Sequence, residues 1–262
     1  MNKLYLLALL LIIGSLKLDA QRIVFEGQFL QFSVGSKIST LYDYSVSPIH
    51  YQGLSGVTRI GYRNNSPNLQ WWGEVDIDAG YYNSFNYPSI SDRTANQITG
   101  GYDFGFTKPI HEFTNELYLW AGFGVMGRYN YNYFEDYSNS QDNYTFLNSF
   151  ALNGMLHYTF NMFDRWVSLE WVMKVPLATY YMRPGYSVNF PDDEIGESDL
   201  VTFNRYYEID SELRLVFPFL NENKISLEYH WDYYNLNTSN KVQYGSHGVF
   251  ITANFKLNYY KK

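Results

Sequence analysis

The chain has 262 residues, no cysteine and a formal net charge of −7. Without cysteine it can form no disulfide framework, no thiolate metal site and no lipid anchor on an acylated cysteine. The acidic balance is the opposite of the basic surface that nucleic acids attract, so we expect no nucleic-acid partner. Aromatic residues make up 20% of the chain, yet its mean hydropathy is −0.32. This combination predicts that apolar and polar residues are interleaved along the chain.

The first twenty residues have the features of a secretory signal peptide. Lys3 supplies a positive charge, residues 4–16 form an apolar segment too short to span a bilayer comfortably, and Leu18-Asp19-Ala20 resembles a cleavage site before Gln21. We therefore predict a signal peptide over residues 1–20 and one domain over residues 21–262. A single barrel domain commonly has this length.

Beyond Ala20, no segment approaches the roughly eighteen consecutive apolar residues of a membrane helix. Apolar residues instead recur at every second position, as in half-buried strands. From Trp71 to Tyr81 the odd positions are apolar or small, whereas the even positions include Glu74, Asp76 and Asp78. Eight segments show this alternation clearly. Two weaker ones precede them, at residues 54–63 and 25–34, and the second changes phase near residues 29–30 as a β-bulge would cause.

The connections between these strands alternate in length. Short ones are predicted at residues 64–68, 107–115, 161–164 and 218–223, and long ones at residues 35–53, 83–92, 132–143, 183–199 and 235–246. Outer-membrane barrels have short periplasmic turns and long extracellular loops, so about ten strands would place both termini in the periplasm. Ten strands carry more bulky apolar residues than a small barrel interior can hold, so the apolar face must point outward.

Aromatic residues gather where the predicted strands end. Two such girdles are expected where a barrel crosses the two bilayer interfaces. The girdle near the short turns would contain Trp71, Phe106, Tyr158, Trp166, Phe217 and Tyr259, and the girdle near the long connections Tyr81, Tyr131, Tyr181, Tyr207 and Tyr233. The predicted fold is an all-β, transmembrane, antiparallel up-and-down β-barrel of about ten strands in the cell outer membrane.

The chain resembles a broad class of known proteins in style. Its Ala20-Gln21 junction, its many Tyr and Asn residues and its alternating strands are similar to those of small outer-membrane β-barrels of Gram-negative bacteria, of the Bacteroidota type. The resemblance covers the whole mature chain, but no single motif carries it. It implies outer-membrane lipid and lipopolysaccharide as partners, with other outer-membrane proteins as further candidates.

The inward face is predicted to carry a network of charged side chains. Acidic residues outnumber basic ones on this face, and buried charges must find partners. If the turn at residues 218–223 sets the register, Arg214 lies opposite Glu228, Glu212 opposite His230, and Asp210 opposite Asp232. The predicted lumen network comprises Glu74, Asp76, Asp78, Asp103, Arg128, Glu170, Lys174, Asp210, Glu212, Arg214, Glu228, His230 and Asp232. A network of this size would fill the lumen.

Three functions of different classes remain open. The first is a non-enzymatic structural or accessory subunit of an outer-membrane assembly, because no catalytic motif is specific and the lumen is predicted to be filled. The second is a narrow pore, which the acidic excess would make cation-preferring. No cofactor and no metal site are expected for either.

The third candidate function is proteolysis. Asp76-x-Asp78 and His230-x-Asp232 resemble the paired residues of the omptin family of outer-membrane proteases, in which an Asp pair and an Asp-His pair activate water across a groove. The resemblance implies that His230 is the general base, that Asp232 orients it, and that Asp76 and Asp78 position the water. The order of the two residues in the His-containing pair is reversed relative to that family.

Overall fold

The structure, a computed structural model, describes residues 26–44, 46, 49–85, 93–135, 142–184, 196–238 and 241–257. The only regular structure in these residues besides strands is a 3₁₀ turn at Leu220–Glu222. No helix in this part of the chain is long and apolar enough to cross a membrane. The strands are β1 (Gly27–Asp43), β2 (His50–Asn65), β3 (Gln70–Phe85), β4 (Thr94–Thr114), β5 (Leu117–Phe134), β6 (Asp142–Met162), β7 (Arg165–Arg183), β8 (Glu197–Val201), β9 (Tyr206–Pro218), β10 (Lys224–Leu236) and β11 (Val242–Lys256).

The strands form one antiparallel sheet that closes on itself. Neighbours in sequence are neighbours in the sheet, and β1 pairs with β11 to complete the ring. Both β8 and β9 pair with β7, β8 at residues 179–183 and β9 at residues 168–174. They therefore share one position in the wall, and the barrel has ten. The prediction of an antiparallel up-and-down barrel of about ten strands is confirmed.

The two ends of the barrel differ in their connections. At the short-turn end these are residues 66–69, 115–116, 163–164 and 219–223; at the long-connection end they are residues 44–49, 86–93, 135–141, 184–196 and 237–241. Alternation between the ends is as predicted, but several connections are shorter than expected because the strands run further. Strand β4 continues to Thr114 through register shifts at residues 109–111 and 112–114, which interrupt the period-two pattern.

The prediction for the start of the barrel is wrong in two respects. Strand β1 continues to Asp43, through most of the predicted loop at residues 35–53, and its register with β11 is unbroken from Phe29 to Asp43. There is thus no bulge at residues 29–30. Phe29 instead points into the lumen, where the Lys224 ammonium lies 3.6 Å from its ring centroid. Many residues of this segment are small or carry a hydroxyl group, so its hydropathy does not alternate clearly. The hydrogen bonds between strands join backbone groups and form without such alternation.

The apolar face of the wall points outward. Ile77 is 58% exposed and its neighbour Asp78 is 2% exposed, and the same contrast holds between Ile251 at 59% and Thr252 at 1%. An exposed surface of this kind is stable against lipid, whereas a soluble protein would bury it. The predicted direction of the apolar face is confirmed.

One residue of the predicted girdles lies inside the barrel. Tyr181 is 1% exposed, whereas Tyr81 and Tyr207 of the same predicted girdle point outward. The pairing of β6 with β7 shifts between Phe150 and Ala151, where β7 contains one extra residue. Because side chains alternate between faces, one extra residue sends every later side chain of β7 to the opposite face. Tyr259 lies outside the described residues.

Because the apolar face is assigned to the bilayer, the cost of a charged substitution on it is expected to depend on its depth in the membrane. Ile77 is midway along the outward positions of β3, and Asn83 lies near the end of that strand. Ile77→Arg is expected to lower the free energy of unfolding by about 2–4 kcal/mol, the cost of arginine at the bilayer midplane, and Asn83→Arg by less than about 1 kcal/mol. Urea titration of the protein in phospholipid vesicles measures both values. Equal losses would contradict the assignment of this face to the bilayer.

Candidate functional site

The lumen at the long-connection end is filled by an apolar and aromatic cluster, which we call the aromatic plug. Every strand of the wall, including the short β8, contributes to it, and all its members are almost completely buried. Its fourteen residues are Leu41, Ile49, Tyr51, Tyr82, Ala95, Phe134, Leu147, Tyr181, Val201, Tyr206, Tyr234, Leu236, Val242 and Tyr244. The plug gives this end of the barrel a core like that of a soluble protein.

Polar groups inside the plug have partners within the barrel. The Tyr82 hydroxyl donates a hydrogen bond of 2.7 Å to Gln97, and the Tyr234 hydroxyl accepts one of 2.9 Å from Asn130. Buried tyrosines usually satisfy their hydroxyl groups in this way. These bonds fix the rings in place, so the plug is a packed element of the structure.

An ion pair crosses the lumen at the rim of the plug. Arg183 on β7 donates a 2.6 Å hydrogen bond to the Asp43 carboxylate on β1, and Asn143 on β6 donates one of 2.9 Å to the same carboxylate. Arg183 is 1% exposed and Asp43 is 2% exposed. Since β1 lies across the ring from β6 and β7, this cluster ties opposite walls together.

Below the plug lies a charge network whose centre is Arg59 on β2. Its guanidinium Nη atoms lie 3.2 and 3.4 Å from the His230 ring nitrogens, and one Nη is 3.8 Å from Glu212 and 3.7 Å from Glu228. Its Nε is 3.8 Å from Glu74. One arginine on β2 therefore gathers three carboxylates and a histidine from three other strands, β3, β9 and β10.

Three further ion pairs cross the lumen to distant strands. Arg63 on β2 lies 2.9 Å from Glu170 on β7, and Arg128 on β5 lies 2.8 Å from Asp232 on β10. Lys174 on β7 contacts Asp103 on β4. Each pair joins strands that are several positions apart in the ring. Together they fill the interior with side chains and leave no wide bore.

The side chains predicted for the lumen network all point into the lumen. The predicted register is confirmed: Arg214 pairs with Glu228, Glu212 with His230, and Asp210 with Asp232. Sequence reasoning missed Lys37, which lies 3.3 Å from Asp78, because it falls in the segment that was predicted as a loop. It also missed Asp43 and Arg183, which lie at strand ends where alternation is weakest.

A small cavity of about 60 Å³ remains within the network. It is lined by six carboxylates, those of Glu74, Asp76, Asp78, Asp103, Asp210 and Asp232, and by the cationic groups of Lys37, Arg59, Arg128 and Lys174. A volume of this size holds only a few water molecules. Among the described residues, Asp76 is the one carboxylate of the six with no basic group within 4 Å.

The four residues of the protease hypothesis line this cavity but do not form the expected pairs. The nearest carboxylates to the His230 Nε2 atom are those of Glu212 at 3.0 Å and Glu228 at 3.3 Å. Asp232 accepts hydrogen bonds from Arg128 at 2.8 Å and Ser246 at 2.5 Å. Asp232 is thus bound by other groups and does not orient His230. The plug above separates the cavity from any peptide at the long-connection end.

Glu212, Glu228 and His230 are close enough together to hold a metal ion. However, Arg59 approaches all three, and Arg214 contacts Glu212 directly. Two guanidinium groups already supply the positive charge that a metal would bring, so the trio fits an ion-pair network better than a metal centre.

Comparison with known proteins shows a shared architecture at low sequence identity. No protein-family model matches the chain, and no curated protein matches it in sequence. Among solved structures, the outer membrane protease OmpT from Escherichia coli superposes with a TM-score of 0.56 at 8% identity, covering 94% of this chain and 100% of that one. The chain shares the closed antiparallel β-barrel fold of this outer-membrane protein.

Two further structures are similar to a lesser degree. The translocator domain of the autotransporter NalP from Neisseria meningitidis has a TM-score of 0.46 at 9% identity, covering 97% of this chain and 94% of that one. Ail of Yersinia pestis, solved in complex with the heparin analogue sucrose octasulfate, has a TM-score of 0.33 at 10% identity, with 88% and 99% covered. At such identities the likeness concerns the fold alone.

The cross-lumen pairs make a prediction about stability. Arg63→Met leaves the buried Glu170 carboxylate without its guanidinium partner and is expected to cost about 3–5 kcal/mol of unfolding free energy. Adding Glu170→Gln removes the orphaned charge, so the double variant is expected to recover most of that loss. Urea unfolding followed by tryptophan fluorescence gives the full cycle. Additive losses in the double variant would show that the two residues do not act as a pair.

Proposed function

We propose that this chain is a closed-lumen barrel that acts as a structural or accessory subunit of an outer-membrane assembly. The observation that carries the proposal is the aromatic plug, which together with the charge network occupies the interior from the long-connection end downward. Because the interior is filled, the outer wall and the connections are the parts of the barrel that can contact other molecules. Its partners are outer-membrane lipid and lipopolysaccharide and, on this proposal, another outer-membrane protein.

The proposed orientation follows from the connections. Short turns of outer-membrane barrels face the periplasm and longer connections face outward. With ten wall positions, β1 begins and β11 ends at the short-turn end. Both ends of the barrel domain then face the periplasm.

A narrow cation-preferring pore is the alternative. The carboxylate excess around the central cavity would favour cations over anions. Conduction also requires a continuous water-filled path, and plug residues such as Tyr82 and Phe134 are 0% exposed. The pore would therefore exist only if the plug moved aside.

The omptin-like protease is the weakest of the three functions. Shared architecture with OmpT does not carry its chemistry, since one fold supports many functions. In this chain His230 is held among Glu212, Glu228 and Arg59, and it is 8% exposed. A general base must reach both its water and its substrate; His230 lines a cavity that can hold water, but the plug lies between that cavity and a peptide at the long-connection end.

Conductance in planar bilayers separates the first two functions. Refolded wild-type protein is expected to give no steady current, and so is a variant with Asp76, Asp78 and Asp232 changed to Asn, because the plug closes both. Protection from added protease confirms that the protein has inserted. Steady cation-selective current in the wild type, weakened in the variant, would overturn the closed-lumen proposal in favour of the pore.

The accessory role has its own test. Extracted gently from its native outer membrane, the tagged full chain is expected to migrate on a native gel as a complex larger than the refolded protein in the same detergent. Migration of both samples at the same position would count against an assembly. Cleavage of a peptide library that is lost in His230→Ala would instead support the protease.

A further inference from the structure

The central cavity carries an excess of negative charge. Its lining contains six carboxylates and four cationic groups, a difference of two charges. The rest of the charge network below the plug is balanced among the described residues, with His230 taken as protonated because it lies between two glutamates. That remainder consists of the carboxylates of Glu170, Glu208, Glu212 and Glu228 and the cationic groups of Arg63, Arg214, Lys224 and His230. The excess therefore lies at the cavity itself.

One carboxylate oxygen in this lining is buried without a hydrogen bond. Asp78 is 2% exposed, and its Oδ2 atom lies 3.3 Å from the Lys37 ammonium. Its Oδ1 atom has no hydrogen-bond partner in the described part of the chain. Buried polar atoms are nearly always satisfied by protein, water or an ion. The cavity that Asp78 lines is the space from which such a partner can reach it.

A second carboxylate reaches the same space. Asp76 precedes Asp78 by two residues on the same face of β3, so their α-carbons are about 7 Å apart. Gly101 lies opposite Asp76 on β4, and a β-carbon there would come within 2.5 Å of the Asp76 Oδ1 atom. The glycine thus leaves room for the Asp76 carboxylate beside the cavity, where no basic group lies within 4 Å of it.

The ligand atoms around this space are oxygens. Besides the two carboxylates, the Thr99 hydroxyl lines the cavity opposite Asp78. It donates a hydrogen bond of 3.0 Å to Asn130, which leaves its lone pairs for another partner. Carboxylates, neutral oxygens and water are the ligands of Ca²⁺, which accepts irregular coordination, whereas Mg²⁺ requires a near-ideal octahedron. The two charges of Ca²⁺ equal the excess at the cavity.

Protons on two of the carboxylates would also neutralise the excess. A proton needs no space, however, whereas protein interiors are close-packed. The open volume of about 60 Å³ beside Asp76 and Asp78 favours an ion with a few water molecules over two protons.

We propose that the central cavity binds one Ca²⁺ ion, with the Asp76 and Asp78 carboxylates as its charged ligands and the Thr99 hydroxyl and water completing its shell. The plug covers the cavity, so the ion is taken up as the barrel folds and then exchanges slowly. This site is independent of whether the barrel is an accessory subunit.

The metal content of the refolded full chain tests the proposal. The chain is refolded with Ca²⁺ in a neutral detergent, passed through a desalting column and analysed by inductively coupled plasma mass spectrometry. Wild-type protein is expected to retain one Ca²⁺ per chain. Asp76→Asn breaks no ion pair and is expected to retain at least about tenfold less, since even the loss of an outer-shell partner costs a metal site about that factor.

Glu208→Gln is the matched control. It removes one carboxylate from the same charge network but lies outside the cavity lining, so it should retain the ion. The unfolding rate in urea gives a second readout: chelator present during refolding should accelerate unfolding of the wild type and leave Asp76→Asn unchanged. Absence of Ca²⁺ from the wild type, retention of Na⁺ or K⁺ in its place, or equal loss in Asp76→Asn and Glu208→Gln would each overturn the proposal.

Discussion

A charged side chain on the inner face of this barrel must find its partner inside the barrel. The outer face is apolar, the long-connection end is filled by the aromatic plug, and removing an ion from water costs several kcal/mol unless it is paired. The pairs therefore run across the lumen, as from Arg63 to Glu170 and from Arg183 to Asp43. Strands that are far apart in the ring share no backbone hydrogen bonds, but these side-chain pairs connect them directly across the lumen. The pairs are the reason that the interior is filled.

The same constraint decides which functions the site can perform. Residues that could be catalytic in a solvated groove are used here as partners: His230 for two glutamates and Asp232 for Arg128. Among the described residues of the network, the Asp76 carboxylate has no ionic partner within 4 Å, and the cavity beside it measures only about 60 Å³. Activity of the molecule is therefore expected at its surfaces, on the outer wall and at the connections.

Much of this could be predicted from the sequence because a strand has a period of two. Alternation located most strands, the volume of bulky residues set the apolar face outward, and the tight turn after Pro218 placed Glu212 opposite His230. The rest depends on information that alternation lacks. Lys37 lies in the part of β1 where small and hydroxyl residues obscure the alternation, and Tyr181 follows an extra residue in β7 that reverses its direction. A tyrosine at a strand end gives the same sequence pattern whether it belongs to an outer girdle or to the aromatic plug. The sequence therefore did not predict the plug.

The closed lumen can be tested directly because the chain has no cysteine of its own. Single cysteines would be placed at Thr99, which is 5% exposed and lines the central cavity, and at the exposed positions Glu135 and Asn68 at the two ends. The rate of labelling with a water-soluble maleimide is then measured in the folded barrel and in urea. We predict rapid labelling at both exposed positions and labelling of Thr99→Cys only after unfolding. Labelling of Thr99→Cys in the folded barrel as fast as that of Glu135→Cys would contradict the account.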